Sequence, residues 1–578
     1  MSHELARLLL TEVSNSSVEV LKKPVYALFL DAKAAYDRVL RKALVRNIFL
    51  SGVNDQRLVY LDERLMNCRT YCDFNKVLMG PILDNRGLEQ GGISSSDHYK
   101  LYNNEQSSVA NLSDLGASLN STNISCISLA DDSVLLSNSI INLRNLLYLT
   151  TRYCAKYDVE LVPDKTALLA FIPSGDKVAS CDKEIIELSL HDHKIPFVDQ
   201  TTHLGVVRTV CPGNMAAIVD RMTAHRRKVF AILPAGLALH HHANTCPRLR
   251  IEKIYCLPVL LSGLASLPLS KSEVNAIDRY YKTYLCLMKL HECTPDSAVF
   301  FLAGTLPAMA HLHLRQLSLF SMICHLNGDH LHTHAKFVLV SWKLSDKSWF
   351  NDIRQLCLMY RLPHPLHLLE SPMAKTDFRK ICMTNVTEYW HQKFTSDAAI
   401  TSLKYLKTSF LSLSRPHPIW TSLTSSNPYQ AKSARIQALF LSGRYRTEKL
   451  ARFWSSNTDG SCLLEPCCSE KISDTVEHIL VRCPALDKTR RRLEAFTLNF
   501  AADKPYLLRL LSEYLLNCTD DDISAQFLVD CSILPNVISA YQQLGSMVHE
   551  DLFRITRTWC RSLHVDRIKL LGRYDSLK

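Results

Sequence analysis

Two apolar stretches of the chain meet at a pair of adjacent acids. Residues 124–129 and 134–136 are rich in side chains that favour strands, and Asp131 and Asp132 lie between them. The pattern predicts a β-hairpin that holds both carboxylates at a tight turn. Aspartate also favours turns through local hydrogen bonds, so ordinary turn chemistry accounts for the pair when nothing else accompanies it.

The N-terminal part of the chain mixes apolar runs with helical periodicity. Residues 2–21 have the spacing of an amphipathic helix, and the apolar run Val25–Leu30 is typical of a strand buried on both faces that ends at Asp31. The other elements predicted here are helices over 34–50, 58–68, 96 onward and 143–157, and strands within 69–84 and over 159–161 and 167–171. Together they predict a compact α+β unit that closes near residue 175.

The rest of the chain is mostly helical in pattern. Residues 201–207 predict a short strand with a turn, and helical periodicity covers 215 to about 290 and about 290 to 450. Three alternating histidines in a loop-like stretch are expected at the surface, namely His330, His332 and His334.

Composition and charge narrow the class of protein. The chain has 578 residues, enough for several domains, and its 47% hydrophobic content is that of a globular protein. Lys and Arg number 67 against 56 Asp and Glu, and the net charge of +11 favours a polyanionic partner. The 20 cysteines are mostly scattered, which is typical of reduced core residues.

We expect neither a signal peptide nor a membrane span. Leu8-Leu9-Leu10 is too short for a secretory signal, and the longest apolar run, residues 256–269, is interrupted by Pro258, Gly263 and Pro268. The chain is therefore expected to be soluble and intracellular, nuclear or cytoplasmic or both, with no membrane partner.

Asp31 gives the acidic pair a potential partner. Asp31 and Asp131 each follow a predicted buried strand, and a single sheet can place both carboxylates side by side. Together with Asp132 they have the chemistry to hold two divalent cations about 3.5–4 Å apart, which activate a hydroxyl and stabilise a leaving phosphate. The alternative is an isolated cap at Asp31 and a solvated turn at the acidic pair.

Three ordered segments resemble a known family. Residues 29–38 (FLDAKAAYDR), 86–94 (RGLEQGGIS) and 129–132 (LADD) are similar in order and spacing to the reverse-transcriptase palm, specifically that of non-LTR retrotransposons. The resemblance implies an α+β fold. It consists of a right-hand polymerase palm, an antiparallel sheet with helices, followed by a mostly helical thumb and C-terminal region.

The resemblance also implies catalytic roles. Asp31 and Asp131 would be the main ligands of two catalytic Mg²⁺ ions, with the Ala32 carbonyl helping and Asp132 contributing beside them. The implied reaction is RNA-directed DNA synthesis, in which a DNA 3′-hydroxyl attacks the α-phosphate of a deoxynucleotide.

Further residues match the nucleotide-binding positions of the family. Tyr36 would lie against the sugar of the incoming nucleotide, or alternatively be a core aromatic on a helix face. Gln90 and Gly91 would approach nucleotide and template, where glycine permits close backbone contact. Lys165 would lie near the triphosphate, or alternatively be a solvated turn lysine, and His203 occupies the primer-grip strand where the family usually carries an aromatic.

A second group of residues has the composition of a zinc site. Cys462, His478 and Cys483, together with either Cys467 or Cys468, offer three thiolates and an imidazole to one tetrahedral structural Zn²⁺. Cys467 is slightly preferred, and reduced core cysteines with a structural histidine are the alternative. The surrounding sequence resembles the C-terminal CCHC region of the same retroelements.

The family's fingers are not recognisable ahead of the first motif. Only 30 residues precede Asp31, so the fingers strands and any upstream endonuclease are expected to be missing from an N-terminally truncated enzyme. Because positioning of the triphosphate dominates phosphoryl transfer, weak or absent polymerase activity is expected.

The predicted organisation follows from these motifs. The leading interpretation is a non-LTR reverse transcriptase acting on template RNA, a DNA primer or target and deoxynucleoside triphosphates. The alternative is a catalytically silent nucleic-acid-binding remnant of such an element. The predicted domains are a palm over 1–210 with the fingers largely missing, a thumb over 211–290, a helical connecting region over 291–440, a CCHC zinc-binding region over 441–500 and a helical C-terminal region over 501–578.

Overall fold

The chain forms two compact units. A computed structural model describes residues 2–66, 68–83, 86–120, 122–173, 187–190, 193–210, 213–232, 234, 245–285, 290–291, 293–326, 328–341, 343, 347–400, 403–423, 428–452 and 458–572. The first unit comprises Met1–Arg221, Leu261–Glu273 and Leu312–Cys382. The second unit comprises Met222–Leu260, Val274–His311 and Met383–Lys578.

The described strands lie in the first unit. They are β1 (Val25–Leu30), β2 (Arg69–Phe74), β3 (Val77–Leu83), β4 (Ala117–Leu119), β5 (Thr122–Ile124), β6 (Cys126–Leu129), β7 (Asp132–Ser137), β8 (Ala167–Phe171), β9 (Ser189–Leu190), β10 (His193–Lys194), β11 (Gln200–His203) and β12 (Val206–Thr209). Four of them form one antiparallel sheet in the order β6-β7-β1-β8, and the others form two-stranded hairpins.

The four-stranded sheet is the framework of the first unit. The predicted strand β1 occupies an interior position, and five of its six residues are buried, as expected for a strand covered on both faces. Leu28, Leu135 and Leu168 from three strands share one apolar core with Leu146 and Tyr153 from the helix over 140–157. The sheet thus presents the ends of β1 and the β6–β7 hairpin from a rigid base.

Helices make up most of the remaining chain. Those that begin before residue 222 are α1 (His3–Asn15), α2 (Arg41–Leu50), α3 (Gln56–Met66), α4 (Ser95–Leu112), α5 (Ile140–Tyr157) and α6 (Met215–Ile232). Those that follow are α7 (Thr245–Ile251), α8 (Leu257–Leu260), α9 (Lys271–Leu285), α10 (Asp296–Ala303), α11 (Ala308–Cys324), α12 (His330–Ser341), α13 (Trp349–Met359), α14 (Pro365–Glu370), α15 (Lys375–Ile400), α16 (Pro418–Thr421), α17 (Pro428–Leu441), α18 (Glu448–Ala451), α19 (Asp487–Ala501), α20 (Pro505–Leu511), α21 (Asp521–Val529), α22 (Pro535–Leu544) and α23 (Ser546–Leu570).

No single described helix is both long enough and apolar enough to cross a membrane. The pair α10 and α11, bent by 67°, meets both conditions only when the two helices are taken together.

The helix predicted over 34–50 begins only at Arg41. After β1 the chain keeps its extended pairing for two more residues, since the Lys33 N–H donates to the Glu160 carbonyl over 2.8 Å. It then turns through Ala34, whose φ of 47° lies in the left-handed region. Tertiary pairing has therefore overridden the helical pattern of the first turns.

The strand predicted over 159–161 is reduced to a single bridge. Ala32 and Leu161 form that antiparallel bridge, and the Val162 N–H donates to the Asp31 carbonyl over 2.9 Å. The segment just past α5 therefore fixes the backbone of Asp31 and Ala32.

The expectation of surface histidines is wrong for His332 and His334. Both lie on α12 and are buried, His334 with only 1% of its surface exposed. The reason is a buried acceptor on α1, because the Glu12 carboxylate binds His334 Nε2 at 3.0 Å, the Ser348 hydroxyl at 2.7 Å and the Trp349 N–H at 3.0 Å. The N-terminal helix is thus bonded to α12 and α13 inside the first unit.

Removal of the Glu12 carboxylate should destabilise the protein strongly. Glu12→Ala leaves three buried donors without their acceptor, so we expect the free energy of unfolding to fall by about 3 kcal/mol. Urea denaturation measures this change. Glu63→Ala, which removes an exposed carboxylate from α3, should change it by less than about 0.5 kcal/mol. Equal effects of the two variants would contradict the role of Glu12.

The buried carboxyl group of Asp352 should make the stability difference between wild type and Asp352→Asn depend on pH. Burial, followed by the charge of Glu12, raises the pKa of Asp352 from 3.8 to about 7. Between these values the folded chain binds more protons than the unfolded chain, so this group's contribution to stability falls as the pH rises. Asp352→Asn cannot ionise, and its stability relative to wild type should rise by about 1–3 kcal/mol from pH 4 to pH 7 and then level off.

The measurement is urea denaturation of both proteins across that pH range. Asp62→Asn is the matched control, because Asp62 is exposed on α3. A difference between Asp352→Asn and wild type that stays constant across the window would show that Asp352 ionises normally.

Candidate active site and candidate metal centre

Strand register brings three carboxylates to one edge of the central sheet. In the pairing of β1 with β7, Leu30 lies opposite Ser133. Asp31 directly follows β1, and Asp132 directly precedes Ser133 at the start of β7. Asp131 occupies the turn between β6 and β7, so the three acids converge where these strands end.

The predicted hairpin is confirmed, with a two-residue turn. Leu129 pairs with Asp132, which leaves only Ala130 and Asp131 between the strands. Ala130 has a φ of 54°, an unfavourable value for a residue with a Cβ. The Asn103 amide on α4 donates to the Ala130 carbonyl over 3.3 Å and helps to hold this turn.

The three acids repel one another. Asp131 and Asp132 are exposed and Asp31 is half-buried. Loss of solvation by the surrounding protein, followed by the charges of Asp131 and Asp31, raises the pKa of Asp132. This mutual repulsion is what a bound cation would relieve, and oxygen ligands suit Mg²⁺. Three carboxylates at one edge therefore fit a hard cation.

Tyr36 lies beside the acids against a second tyrosine. Its half-buried ring stacks on Tyr99 of α4, with centroids 4.9 Å apart and an angle of 22°. Burial and then the charge of Asp131 raise the pKa of Tyr99, which places that ring close to the hairpin tip. The sequence interpretation missed Tyr99 and Asn103, although their spacing of four residues puts both on one face of α4.

The loop over 86–92 is clamped to the turn that follows β1. The Leu88 N–H donates to the Tyr36 carbonyl over 2.8 Å. Gly87 has a φ of 81°, and a Cβ there would lie 2.8 Å from the Asp37 carbonyl oxygen, so only glycine fits. Gln90 and Gly91 form the exposed turn of this loop.

Lys165 reaches the acids from the other side. Its ammonium lies 3.2 Å from Asp31 Oδ2, and the lysine precedes β8. Nearby cations have other partners, since Lys33 pairs with Glu160 at 3.0 Å and Arg38 with Glu160 at 2.6 Å. Among the three acids, Asp31 is therefore the one whose carboxylate contacts a cationic side chain in the described part of the chain.

His203 lies under the sheet. It is 5% exposed at the end of β11, and its ring packs on Phe29 of β1 with centroids 5.3 Å apart. Burial, followed by the charges of Arg208 and Arg7, lowers the pKa of His203 to about 3. It is a neutral packing residue at physiological pH, and it links the β11–β12 hairpin to the strand that ends at Asp31.

Comparison with known families covers the part of the chain that carries this site. Residues 3–207 match the family described as reverse transcriptase (RNA-dependent DNA polymerase). The match covers about a third of the chain and indicates a reverse transcriptase domain in this segment. No curated protein matches the chain. A reverse transcriptase domain acts on a nucleic-acid template, a primer and nucleotides, so the expectation of an RNA-directed DNA polymerase is confirmed at the level of the family.

A second cluster lies outside the reverse transcriptase domain, in the second unit. The ligand atoms of Cys462, Cys467, His478 and Cys483 all lie within 4.8 Å of one another, and all four residues are buried. Cys468 is exposed and is not part of the cluster.

Local backbone bonds fold the second cluster. The Cys462 N–H donates to the Ile472 carbonyl over 2.7 Å, and the Ile472 N–H donates back to the Cys467 carbonyl over 3.1 Å. The Cys483 N–H donates to the His478 carbonyl over 2.7 Å. Each half of the motif is therefore closed by its own backbone bonds, and the two halves pack together with the sulfurs of Cys467 and Cys483 3.9 Å apart.

The donor set of this cluster fits a zinc ion. His478 Nε2 is buried without a hydrogen-bond partner among the described residues. A hydrogen bond with the adjacent Cys483 thiol is the main reason why the pKa of Cys462 is lowered to about 4. Cys462 therefore favours the thiolate form. Three sulfurs and one imidazole are a common set of ligands for a structural zinc.

Proposed function

We propose that the chain is an RNA-directed DNA polymerase of the non-LTR retrotransposon type. The observation that carries this proposal is the convergence of Asp31, Asp131 and Asp132 at the end of β1 and the tip of the β6–β7 hairpin, inside a reverse transcriptase domain. Carboxylates in this arrangement suit a reaction in which charge develops on phosphate oxygens.

In this proposal Asp31 and Asp131 hold two Mg²⁺ ions, with the Ala32 carbonyl and Asp132 assisting. When bound, such ions would lower the pKa of a primer 3′-hydroxyl and stabilise the leaving pyrophosphate. The protein's contribution is position. The backbone of Asp31 is fixed by the Val162 N–H, and the turn that carries Asp131 is held by Asn103.

The neighbouring residues form the walls of the proposed nucleotide site. We propose that Tyr36 faces the sugar of the incoming nucleotide, and the stack of its ring on Tyr99 supports this role by fixing the ring. Gln90 and Gly91 project from the clamped loop and are free to approach the nucleotide and template. Lys165 exchanges its contact with Asp31 for the triphosphate, and its ammonium proton is available to the leaving pyrophosphate.

The non-LTR assignment rests on the C-terminal cluster. Four buried ligands of the CCHC type beyond the polymerase domain support it, because the sequence around them resembles that of non-LTR elements. We propose that the cluster holds one structural Zn²⁺ and that the domain boundaries follow the sequence motifs. These are a palm over 1–210, a thumb over 211–290, a connecting region over 291–440, a zinc-binding region over 441–500 and a helical region over 501–578.

Primer extension tests the polymerase. On an RNA template with an annealed DNA primer and Mg²⁺, wild type should incorporate deoxynucleotides weakly, and Asp131→Ala should slow this incorporation further, by at least about 100-fold, because it removes a charge at the reacting phosphate. Asp62→Ala, an equal charge change on the exposed face of α3, should leave the rate unchanged. Indistinguishable incorporation by wild type and Asp131→Ala would sink the proposal and favour a silent nucleic-acid-binding remnant.

Metal analysis tests the zinc site with a matched pair of adjacent cysteines. The purified chain should contain one zinc per molecule. Cys467→Ser should lose the zinc, because it removes a buried ligand, whereas Cys468→Ser should keep it, because this thiol is exposed outside the cluster. Loss of zinc from Cys468→Ser with retention in Cys467→Ser would refute the assignment of ligands.

A further inference from the structure

A large groove lies beside the four-ligand cluster, within the second unit. Its volume is about 1030 Å³, at the upper end of the range of about 300–1,000 Å³ that small-molecule sites occupy. Its walls come from the end of α15, the segment over 403–409, the loop between α17 and α18, and residues 475–477. We call it the basic groove.

The basic groove carries an excess of positive charge. Four cations line it, namely Lys404, Lys407, Arg444 and Lys449, against the single acid Glu477. That acid is already neutralised, since Lys404 binds Glu477 at 2.5 Å. Lys407 and Lys449 are exposed and form no ion pair within the described part of the chain. The groove therefore offers cationic side chains to an anionic ligand.

Hydroxyl groups line the same walls. Thr395, Thr408, Ser409 and Thr475 all face the groove. Thr395 Oγ1 is buried and has no hydrogen-bond partner among the described residues. Lysine, arginine, serine and threonine are the side chains that commonly contact nucleic-acid phosphates. The donor set thus matches a phosphodiester backbone.

An exposed aromatic residue directly follows one of the residues that line the groove. Phe410, which follows the lining residue Ser409, exposes 61% of its surface. Exposed aromatic rings beside a cationic track are the stacking platforms of proteins that bind single strands. An acidic peptide would use the lysines equally well but has no base to place on this ring.

The groove and the four-ligand cluster share a wall. Thr475 and Glu477 line the groove, and His478 follows them directly. The Thr475 hydroxyl accepts a hydrogen bond from the His478 N–H over 3.1 Å. The fold that positions the cluster therefore also shapes one side of the groove.

We propose that the basic groove binds a single strand of nucleic acid through its phosphates, without regard to base sequence. The proposal deepens the proposed function, because it gives the polymerase a separate binding track for template or displaced strand outside the reverse transcriptase domain. A single strand leaves its bases free to stack on an exposed ring such as Phe410, whereas the bases of a duplex are already paired and stacked on one another.

The test is fluorescence anisotropy of a labelled oligouridine with the full chain over a range of salt concentrations. The double variant Lys407→Gln/Lys449→Gln should bind about ten-fold more weakly than wild type. The slope of log affinity against log salt should become shallower by about 1.4, since two phosphate contacts are lost. Its zinc content should equal that of wild type, which reports an intact fold.

The matched control is Lys375→Gln/Lys380→Gln. It removes two exposed lysines from the first turns of α15, neither of which lines the groove. This variant should bind the strand within two-fold of wild type. Equal affinity of wild type and Lys407→Gln/Lys449→Gln would overturn the proposal, and so would displacement of the strand by polyglutamate or duplex as efficiently as by unlabelled strand.

Binding and polymerisation are separable in this design. A wild-type chain that binds through Lys407 and Lys449 but extends no primer would support the groove while removing the proposed polymerase. The two proposals therefore fail by different measurements.

Discussion

The repulsion among three aspartates at one sheet edge is the constraint on which the first unit depends. Asp31, Asp131 and Asp132 are brought together by strand register, and their like charges would drive them apart in a flexible chain. A buried strand on one side and a two-residue turn on the other prevent this. The sheet and its helices therefore hold together three carboxylates whose like charges oppose their approach.

The surroundings of the acids follow from this requirement. The chain after β1 cannot enter a helix at once, because its backbone pairs with Glu160 and Leu161 and so fixes Asp31. The turn that results presents Tyr36 to Tyr99 and gives the 86–92 loop its attachment point. One backbone detour thus positions the acid, the aromatic ring and the glycine loop together.

The second unit is organised by buried charge of a different kind. Asp474, fully buried near the four-ligand cluster, accepts a hydrogen bond from Arg567 of α23 at 2.6 Å and from the Glu448 N–H at 2.6 Å. A buried, bonded ion pair is costly to break, because either partner alone would be left uncompensated. The Arg490 guanidinium binds the Cys483 carbonyl in the same region, so this arginine is bonded to the cluster's own backbone.

The amino-acid sequence by itself determined the local elements and the chemistry. The apolar run ending at Asp31, the acidic pair between two strand-like segments and the spacing of cysteines and histidine were sufficient to predict β1, the β6–β7 hairpin and the candidate ligands, because these depend on residue type and short-range pattern. The roles of Tyr36, Gln90, Gly91 and Lys165 stay predictions from resemblance.

Only the tertiary structure decided which distant groups meet. Helical periodicity could not reveal that pairing with Glu160 delays α2, nor that Glu12 buries His334, since each depends on partners more than 100 positions away. The sequence favours Cys467 over Cys468 only slightly, and only the direction of the folded turn buries the first and exposes the second. The basic groove likewise gathers lysines from separate segments. The sequence shows these lysines only as members of separate segments, and packing alone brings them to one groove.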